Sequence, residues 1–296
     1  MTADAAAFPR FEPALMRRRL KGTIFYGACL IAIGLVLLAL LLLLVDVFGR
    51  GLTYLDADFL TGVPSRRPEN AGLLPALLGS LYMGVIVAVV TFPIGIAAAI
   101  YLEEYATDNA LNRLLRTNIA NLAGVPSIVY GIFGLALFVR LLDLGATLLA
   151  GALTLALLIL PVVIIASMEA LRAVPGSQRE AAYALGATRW QMVRGSVLPA
   201  AAPGIMTGVI LAMARAIGET APLILIGAVT FVTYNPNPIS GGYTVLPIQI
   251  FSWAQRPQEG FQQIAASAII VLLAVMFILN ALALILRVRL SRHLQW

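Results

Sequence analysis

Residues 144–168 read LGATLLAGALTLALLILPVVIIASM, an unbroken run in which no side chain is charged. A helix needs about 20 apolar residues to cross a hydrocarbon core about 30 Å thick, and it satisfies its own backbone polar groups there. The whole chain is 60% hydrophobic and 11% charged, whereas soluble proteins carry roughly 25% charged residues. The run therefore predicts a transmembrane helix. The composition excludes a soluble, disordered or nucleic-acid-binding protein, despite the net charge of +6.

Five further segments are long and apolar enough to be transmembrane helices. One of them, residues 204–228, contains only Arg215 and Glu219 as charged residues. The other four contain no charge and comprise residues 25–45, 77–102, 119–139 and 264–286. The sequence thus predicts an all-α, polytopic membrane protein with six transmembrane helices. The first run exceeds the 7–15 apolar residues of a signal peptide, so we interpret it as an uncleaved span.

The basic residues are distributed unequally between the two sides of this six-span arrangement. Fourteen of the 20 Lys and Arg residues lie in the N-terminal tail and in residues 103–118, 169–203 and 287–296, against five in the opposite loops. Because cytoplasmic segments carry the excess of basic residues, both termini are predicted to be cytoplasmic. We expect a cytoplasmic N-terminal tail of residues 1–23, a transmembrane domain of residues 24–290 and a C-terminal tail of residues 291–296.

Three residue types that carry much enzyme chemistry are nearly missing from this chain. Cys29 is the only cysteine, which excludes a disulfide or a thiolate metal cluster within the chain. His293 is the only histidine, which excludes a His-dependent triad or a zinc-protease pair. Lys21 is the only lysine, and Leu20 stands where a nucleotide-binding P-loop requires glycine. We therefore expect no catalytic residue, metal or cofactor in this chain.

The predicted cytoplasmic segment 169–203 contains a helix–turn–helix pattern. Strong helix formers occupy residues 180–185, and Gly186 can adopt the left-handed conformation that ends a helix. Residues 189–197 can then form a second short helix, which Pro199 is predicted to end. Such a hairpin fits either an amphipathic element at the lipid headgroups or a docking site for a cytoplasmic partner. The pattern alone favours neither interpretation.

A resemblance favours the docking interpretation. The segment resembles the EAA loop of ATP-binding-cassette importer permeases, although Ser196 replaces the isoleucine that is usual in that family. In the family, this loop forms a coupling helix that fits a groove on a separate ATPase subunit. The resemblance implies that residues 178–199 form the ATPase coupling loop. The residues that carry it are Glu180, Ala181, Ala182, Gly186, Leu198 and Pro199.

A charged pair lies inside the predicted fifth span. Arg215 is near the centre of residues 204–228 and Glu219 follows one helical turn later, so the two side chains share a face. One interpretation is a structural ion pair that fixes helix packing. The other is a substrate-pathway site, in which the planar donors of Arg215 bind an anion and Glu219 orients it or competes with it. Intramembrane ionisable residues favour function, and the two interpretations are compatible.

The sequence around this pair, Ala214–Leu223, resembles the span-five signature of phosphate-importer permeases of the PstA type. Four more stretches agree with that family, namely residues 92–105, 121–131, 244–251 and 253–258. The resemblance extends over residues 75–290. It implies the type I ABC importer permease fold, with Arg215, Glu219 and Thr220 in the substrate pathway.

The same resemblance implies transport of inorganic phosphate by alternating access, with no covalent bond made or broken in this chain. The implied partners are a homologous second permease (PstC type), a dimer of ATP-binding subunits (PstB type) and an extracytoplasmic phosphate-binding protein (PstS type). ATP and magnesium would bind to the ATPase partner. The implied location is the lipid bilayer of the bacterial inner membrane, and no nucleic-acid partner is expected.

Three alternatives remain open at this point. A permease for another oxyanion, sulfate or molybdate, is disfavoured by the span-five signature. An ATP-independent secondary transporter or channel would explain Arg215 and Glu219 but gives the EAA loop no role. An intramembrane enzyme would lack His and Lys for catalysis, and Glu219 would have to act alone.

Overall fold

The computed structural model describes residues 15–228, 231–239 and 241–292. The outermost parts of the predicted tails, residues 1–14 and 293–296, lie outside the described residues. All regular elements within the described ranges are helical, which confirms the predicted all-α class. These residues form two units, one up to Gly49 and one from Arg50 onward. The predicted tail boundaries and the cytoplasmic orientation of the termini stay predictions.

Twelve α-helices are present in the described residues, together with three π-helical turns that each directly follow an α-helix. The long helices are α1 (Leu15–Gly51), α3 (Leu74–Ile100), α6 (Leu148–Arg172), α9 (Leu198–Gly218) and α12 (Glu259–Arg292). The shorter helices are α2 (Ala57–Thr61), α4 (Ala110–Ala123), α5 (Ser127–Gly134), α7 (Gly176–Ala184), α8 (Arg189–Met192), α10 (Ala221–Ile226) and α11 (Leu246–Ala254). The π-helical turns are Tyr101–Tyr105, Leu135–Leu141 and Val193–Val197, which directly follow α3, α5 and α8.

Helix α1 makes up almost all of the first unit. Its leucines are exposed around and along the helix, as Leu35, Leu38 and Leu41 illustrate. At about 1.5 Å of rise per residue the helix is longer than a hydrocarbon core is thick, so it can cross a membrane with residues to spare. The predicted first span is therefore confirmed, within a helix that extends beyond it on both sides.

Four helices of the second unit, α3, α6, α9 and α12, are also long and apolar enough to cross a membrane. The remaining predicted span is divided, because α4 and the α5 segment that runs to Leu141 meet at an angle of 103°. The described residues thus contain five continuous candidate spans and one bent pair. Six spans are confirmed when the bent pair is counted as one.

The bend divides the predicted span of residues 119–139 at Pro126. Pro126 has no backbone N–H and disfavours a helical conformation at Val125, so the helix stops at Ala123. The carbonyl oxygen of Leu122, which loses its helical partner there, accepts a hydrogen bond from the hydroxyl of Tyr130 at 2.9 Å. The break is therefore a built feature of the fold, with its freed carbonyl satisfied.

Helix α6 lies at the centre of the second unit and packs along both α3 and α9. The contacts depend on small residues. A β-carbon at Gly208 of α9 would lie 2.3 Å from the β-carbon of Ala166 on α6, and one at Gly95 of α3 would meet Val163. In lipid the hydrophobic effect does not hold helices together, so close packing of small residues supplies much of the attraction.

Residues 243–254, here called the outer segment, enter the bundle instead of lying on its surface. Aromatic residues near a membrane surface often anchor a helix at the lipid headgroups, but the side chains of Tyr243 and Trp253 are fully buried. The N–H of Leu246 donates to the Ser80 hydroxyl oxygen on α3 at 2.8 Å. The ring of Trp253 lies 6.1 Å from that of Phe59 on α2, centroid to centroid. The outer segment is thus part of the core.

Candidate functional site

The intramembrane pair lies at the end of a helix rather than near its middle. Arg215 occupies the last turn of α9, which ends at Gly218, and Glu219 follows with an extended backbone (φ −73°, ψ 129°). The prediction of one helix through residues 204–228 is wrong here. A continued helix would place the ring of Pro222 against the carbonyl of Gly218, four residues earlier, so the chain breaks and restarts as α10.

The predicted Arg215–Glu219 contact forms despite this break. Arg215 Nε donates to Glu219 Oε1 at 3.3 Å. The Arg215 side chain is 45% exposed and that of Glu219 is 18% exposed. In the described part of the chain, both terminal nitrogens of Arg215 lack a hydrogen-bond partner. Their planar N–H groups are therefore free to bind an anion, for which a guanidinium is well suited.

Two other elements approach this pair. Thr220 lies at the start of α10, where its hydroxyl donates to the Gly218 carbonyl at 3.5 Å. Helix α5 packs on α10, and Gly131 permits this because a β-carbon there would lie 2.7 Å from Pro222 Cα. Tyr130, beside Gly131, belongs to the same helix α5. The site thus combines the break in α9 with the break between α4 and α5.

The predicted helix–turn–helix is present as α7, Gly186 and α8. Gly186 has the left-handed backbone conformation that its position predicts, with φ +78°. Helix α8 begins with a capping box in which the N–H of Thr188 donates to Gln191 Oε1 at 2.8 Å and the N–H of Gln191 donates to Thr188 Oγ1 at 3.4 Å. We call residues 176–199 the coupling segment.

The predicted end of the second helix at Pro199 is wrong. After α8 the chain forms the π-helical turn Val193–Val197 and then continues directly into α9 through Pro199. A proline is tolerated in the first turn of a helix, because the N–H at that position has no helical partner. The π turn changes the hydrogen-bonding pattern, so that α9 begins anew at Leu198 and Pro199 lies in its first turn. The coupling segment is consequently continuous with the helix that carries Arg215.

The six predicted coupling residues do not form one surface. Glu180, Ala181 and Gly186 are exposed, whereas Ala182 is buried against the core. Leu198 and Pro199 are half-buried. The exposed surface instead includes large apolar side chains that the motif does not contain, namely Tyr183, Leu185 and Trp190. Leu185 is the most exposed of the three, at 90%.

Sequence reasoning missed a group of ion pairs beside the coupling segment. The group includes Glu103 and Glu104, whose side chains are only 14% and 5% exposed. Glu103 pairs with Arg116 at 2.9 Å and with Arg172 at 3.1 Å, and Glu104 pairs with Arg179 at 2.6 Å. The sequence contains a signal for these ion pairs. Two adjacent carboxylates follow the apolar run 77–102, and the predicted cytoplasmic segments 103–118 and 169–203 are rich in arginine.

No group of three or more His, Cys, Asp or Glu side chains is placed to hold a metal ion anywhere in residues 15–228, 231–239 and 241–292. The functional groups described above are instead an arginine with free donors, its carboxylate partner, and a helical hairpin with an exposed apolar surface. These features suit the binding of an anion and of a partner surface.

Comparison with known proteins assigns this arrangement to a class. The chain belongs to the family of binding-protein-dependent transport system inner membrane components, whose model matches residues 91–295. It is thus a multi-pass membrane transport subunit, and the fold is that of a type I ABC importer permease. A structural likeness supports that fold: a bacterial ABC transporter involved in the import of the acidic polysaccharide alginate aligns with a TM-score of 0.62 and 13% identity, over 93% of this chain and 98% of that one.

Closer relatives are phosphate transport system permease proteins. The chain is similar to PstA 1 of Mycobacterium tuberculosis, with 36% identity over 288 residues, which is 93% of this chain and 91% of that protein. It is also 37% identical to PstA of Mycobacterium leprae over 276 residues, covering 89% of this chain and 88% of that protein. Both similarities include the coupling segment and the Arg215 region.

Proposed function

We propose that this chain is the PstA-type transmembrane subunit of an ATP-driven importer of inorganic phosphate. The observation that carries the proposal is the 36% identity to a phosphate permease over 93% of the chain. Local geometry supports the same substrate class, because Arg215 offers free planar donors of the kind that match phosphate oxygens. The similarity disfavours a permease dedicated to sulfate or molybdate.

In this proposal the importer contains further subunits. A homologous PstC-type permease completes the pathway, a PstB-type ATPase dimer binds ATP and magnesium, and a PstS-type binding protein delivers phosphate at the outer side of the bacterial inner membrane. The exposed surface around Leu185 and Trp190 is where the ATPase would dock. Hydrolysis of ATP then belongs to that partner, and this chain makes or breaks no covalent bond.

The Arg215–Glu219 pair suits transient binding of an anion. Phosphate would bind the two terminal nitrogens of Arg215, while Nε of Arg215 continues to donate its hydrogen bond to Glu219. The carboxylate would thus hold the guanidinium in place. The same negative charge weakens the attraction for the anion, which prevents a tight complex that would slow release. Alternating access would expose this site first to the outer side and then to the cytoplasm.

The experiment that tests the proposal is reconstitution of the complete importer in liposomes. The chain is purified with its co-migrating subunits, and ATP hydrolysis and uptake of labelled phosphate are measured with the binding protein outside. Stimulation of both by phosphate, and by neither sulfate nor molybdate, is the expected result. Stimulation by sulfate instead would assign another oxyanion, and uptake without ATP would point to a secondary transporter.

A further inference from the structure

The two helices of the coupling segment are attached to the same end of α3. On α7, Arg179 donates three hydrogen bonds to the Glu104 carboxylate, the shortest being 2.6 Å between Nη2 and Oε1. At the start of α8, the guanidinium carbon of Arg189 lies 5.0 Å from the centre of the Tyr105 ring. Glu104 and Tyr105 are consecutive in the sequence. One end of one transmembrane helix therefore receives both attachments.

The attachment of Arg179 to Glu104 is buried and extensively bonded. The Glu104 side chain is 5% exposed and that of Arg179 is 22% exposed. Arg179 also donates to the carbonyl oxygens of Val174 at 2.7 Å and Leu171 at 2.9 Å, at the end of α6. Charge-assisted hydrogen bonds are strong in such surroundings, and loss of one partner leaves an uncompensated charge. Helix α7 thus cannot move far without moving the end of α3.

The neighbouring carboxylate, Glu103, has different partners. It binds Arg116 on α4 and Arg172 on α6, at 2.9 and 3.1 Å. Arg116 also donates to the carbonyl of Leu102. These contacts connect α3 with other membrane helices and not with the coupling segment. Among the polar and ring contacts of residues 103–105, those of Glu104 and Tyr105 reach the coupling segment.

The opposite end of α3 is attached to the outer segment. Ser80 accepts the hydrogen bond from the N–H of Leu246, and Gly79 leaves space for the carbonyl of Thr244. Between these contacts and Glu104 the chain is helical throughout. With a rise of about 1.5 Å per residue, this length is comparable to the thickness of a hydrocarbon core. Helix α3 consequently connects the two sides of the membrane.

We propose that α3 transmits movement of the coupling segment to the outer segment, and that Glu104 and Tyr105 are the positioning residues at its cytoplasmic end. The inference rests on the proposed function. When the ATPase subunits displace α7 and α8, Arg179 and Arg189 move the end of α3. Helix α3 then carries Ser80, and with it Leu246. When these attachments are lost, the ATPase subunits still hydrolyse ATP, but hydrolysis no longer drives phosphate across the membrane.

The test is the number of phosphate ions imported per ATP hydrolysed by the complete importer in liposomes. In Glu104→Gln, which removes the charge and keeps the shape, we expect this ratio to fall by about tenfold or more. In Tyr105→Leu, which removes the ring but keeps an apolar side chain, we expect a fall of about threefold. The matched control is Asp108→Asn, which breaks an ion pair with Arg113 close to Glu104 in the sequence. This pair lies in solvent, since the side chains of Arg113 and Asp108 are 74% and 87% exposed. The ratio for the control should equal that of the wild type.

An unchanged ratio in Glu104→Gln and in Tyr105→Leu would overturn the proposal. If Glu104→Gln does not assemble with its partners, the ratio of Tyr105→Leu decides, because that change leaves the buried charge pair intact. Normal ATPase stimulation with lost uptake would support transmission through α3 over a purely structural role. A wild-type importer that takes up no phosphate would instead overturn the proposed function itself, so the two failures are distinguishable.

Discussion

The carbonyl oxygen of Thr244 occupies the space that a β-carbon on Gly79 would need. This close approach lets the next residue but one, Leu246, donate its N–H to Ser80. The backbone of the outer segment is thereby fixed against α3 by the absence of one side chain. Any larger residue at position 79 must push the backbone away, because a carbonyl cannot rotate aside as a side chain can.

We therefore expect Gly79→Ala to lower the free energy of unfolding by about 1–3 kcal/mol, the usual cost of overpacking. Thermal unfolding of the purified protein in lipid nanodiscs measures this, and phosphate uptake should fall in parallel. Gly84→Ala in the same helix is the control, because its nearest neighbour would be the flexible end of Met213 at 3.8 Å. Equal unfolding temperatures for the two variants would contradict the close approach.

Arg215 supplies a second prediction. Arg215→Gln keeps a hydrogen-bond donor but loses the charge and the paired donors, so phosphate uptake should be abolished. Glu219→Gln should be milder, because the positive charge remains. Labelled-phosphate uptake in the reconstituted importer is the measurement. The control is Arg113→Gln, which also breaks an arginine–carboxylate pair, but one whose side chains are far more exposed. It should leave uptake at the wild-type rate. Normal uptake by Arg215→Gln would leave only a structural role for the pair.

The turn of the coupling segment can be tested at Gly186. A β-carbon there would meet nothing within 4 Å, so the penalty for alanine comes only from the left-handed backbone at φ +78°. We expect Gly186→Ala to lower the free energy of unfolding by about 1–2 kcal/mol. Gly195→Ala makes the same change in open space without that backbone conformation. Thermal unfolding in nanodiscs should show a lower unfolding temperature for Gly186→Ala and no loss for this control, and a matching loss in both variants would contradict the left-handed turn as the cause.

Packing between α6 and α9 offers a double-mutant test. Gly208→Ala should destabilise the protein by about 1–3 kcal/mol, since its new methyl group would overlap that of Ala166. Adding Ala166→Gly removes the overlapping atom and should restore most of the loss. Unfolding measured for the two single variants and the double variant gives the coupling between the sites. Additive effects would show that the two residues do not share this contact.

The class of fold and the approximate spans followed from the sequence because long uncharged runs leave few alternatives in lipid. The pattern also predicted the turn at Gly186 and the pairing of Arg215 with Glu219. In these cases, the determining interactions lie within a few residues. Local physical chemistry was sufficient there.

The breaks in the helices were harder to predict. Pro93, Pro126 and Pro161 all lie inside apolar runs, yet only Pro126 divides a helix. The difference depends on neighbours such as Tyr130, whose hydroxyl satisfies the freed carbonyl. The burial of Glu104 depends likewise on Arg179, far away in the sequence. Contacts of this kind depend on tertiary structure, which residue spacing does not determine.

The tilted contact between the rings of Trp253 and Phe59 has a consequence for biosynthesis. These rings share a buried cluster with Phe261, in the first turn of α12, so the cluster draws residues from both ends of the second unit. The ribosome makes α2 well before α12. The early segment must therefore wait, with its aromatic surface uncovered, until α12 has been made. This cluster cannot close while the helices between α2 and α12 are still being synthesised.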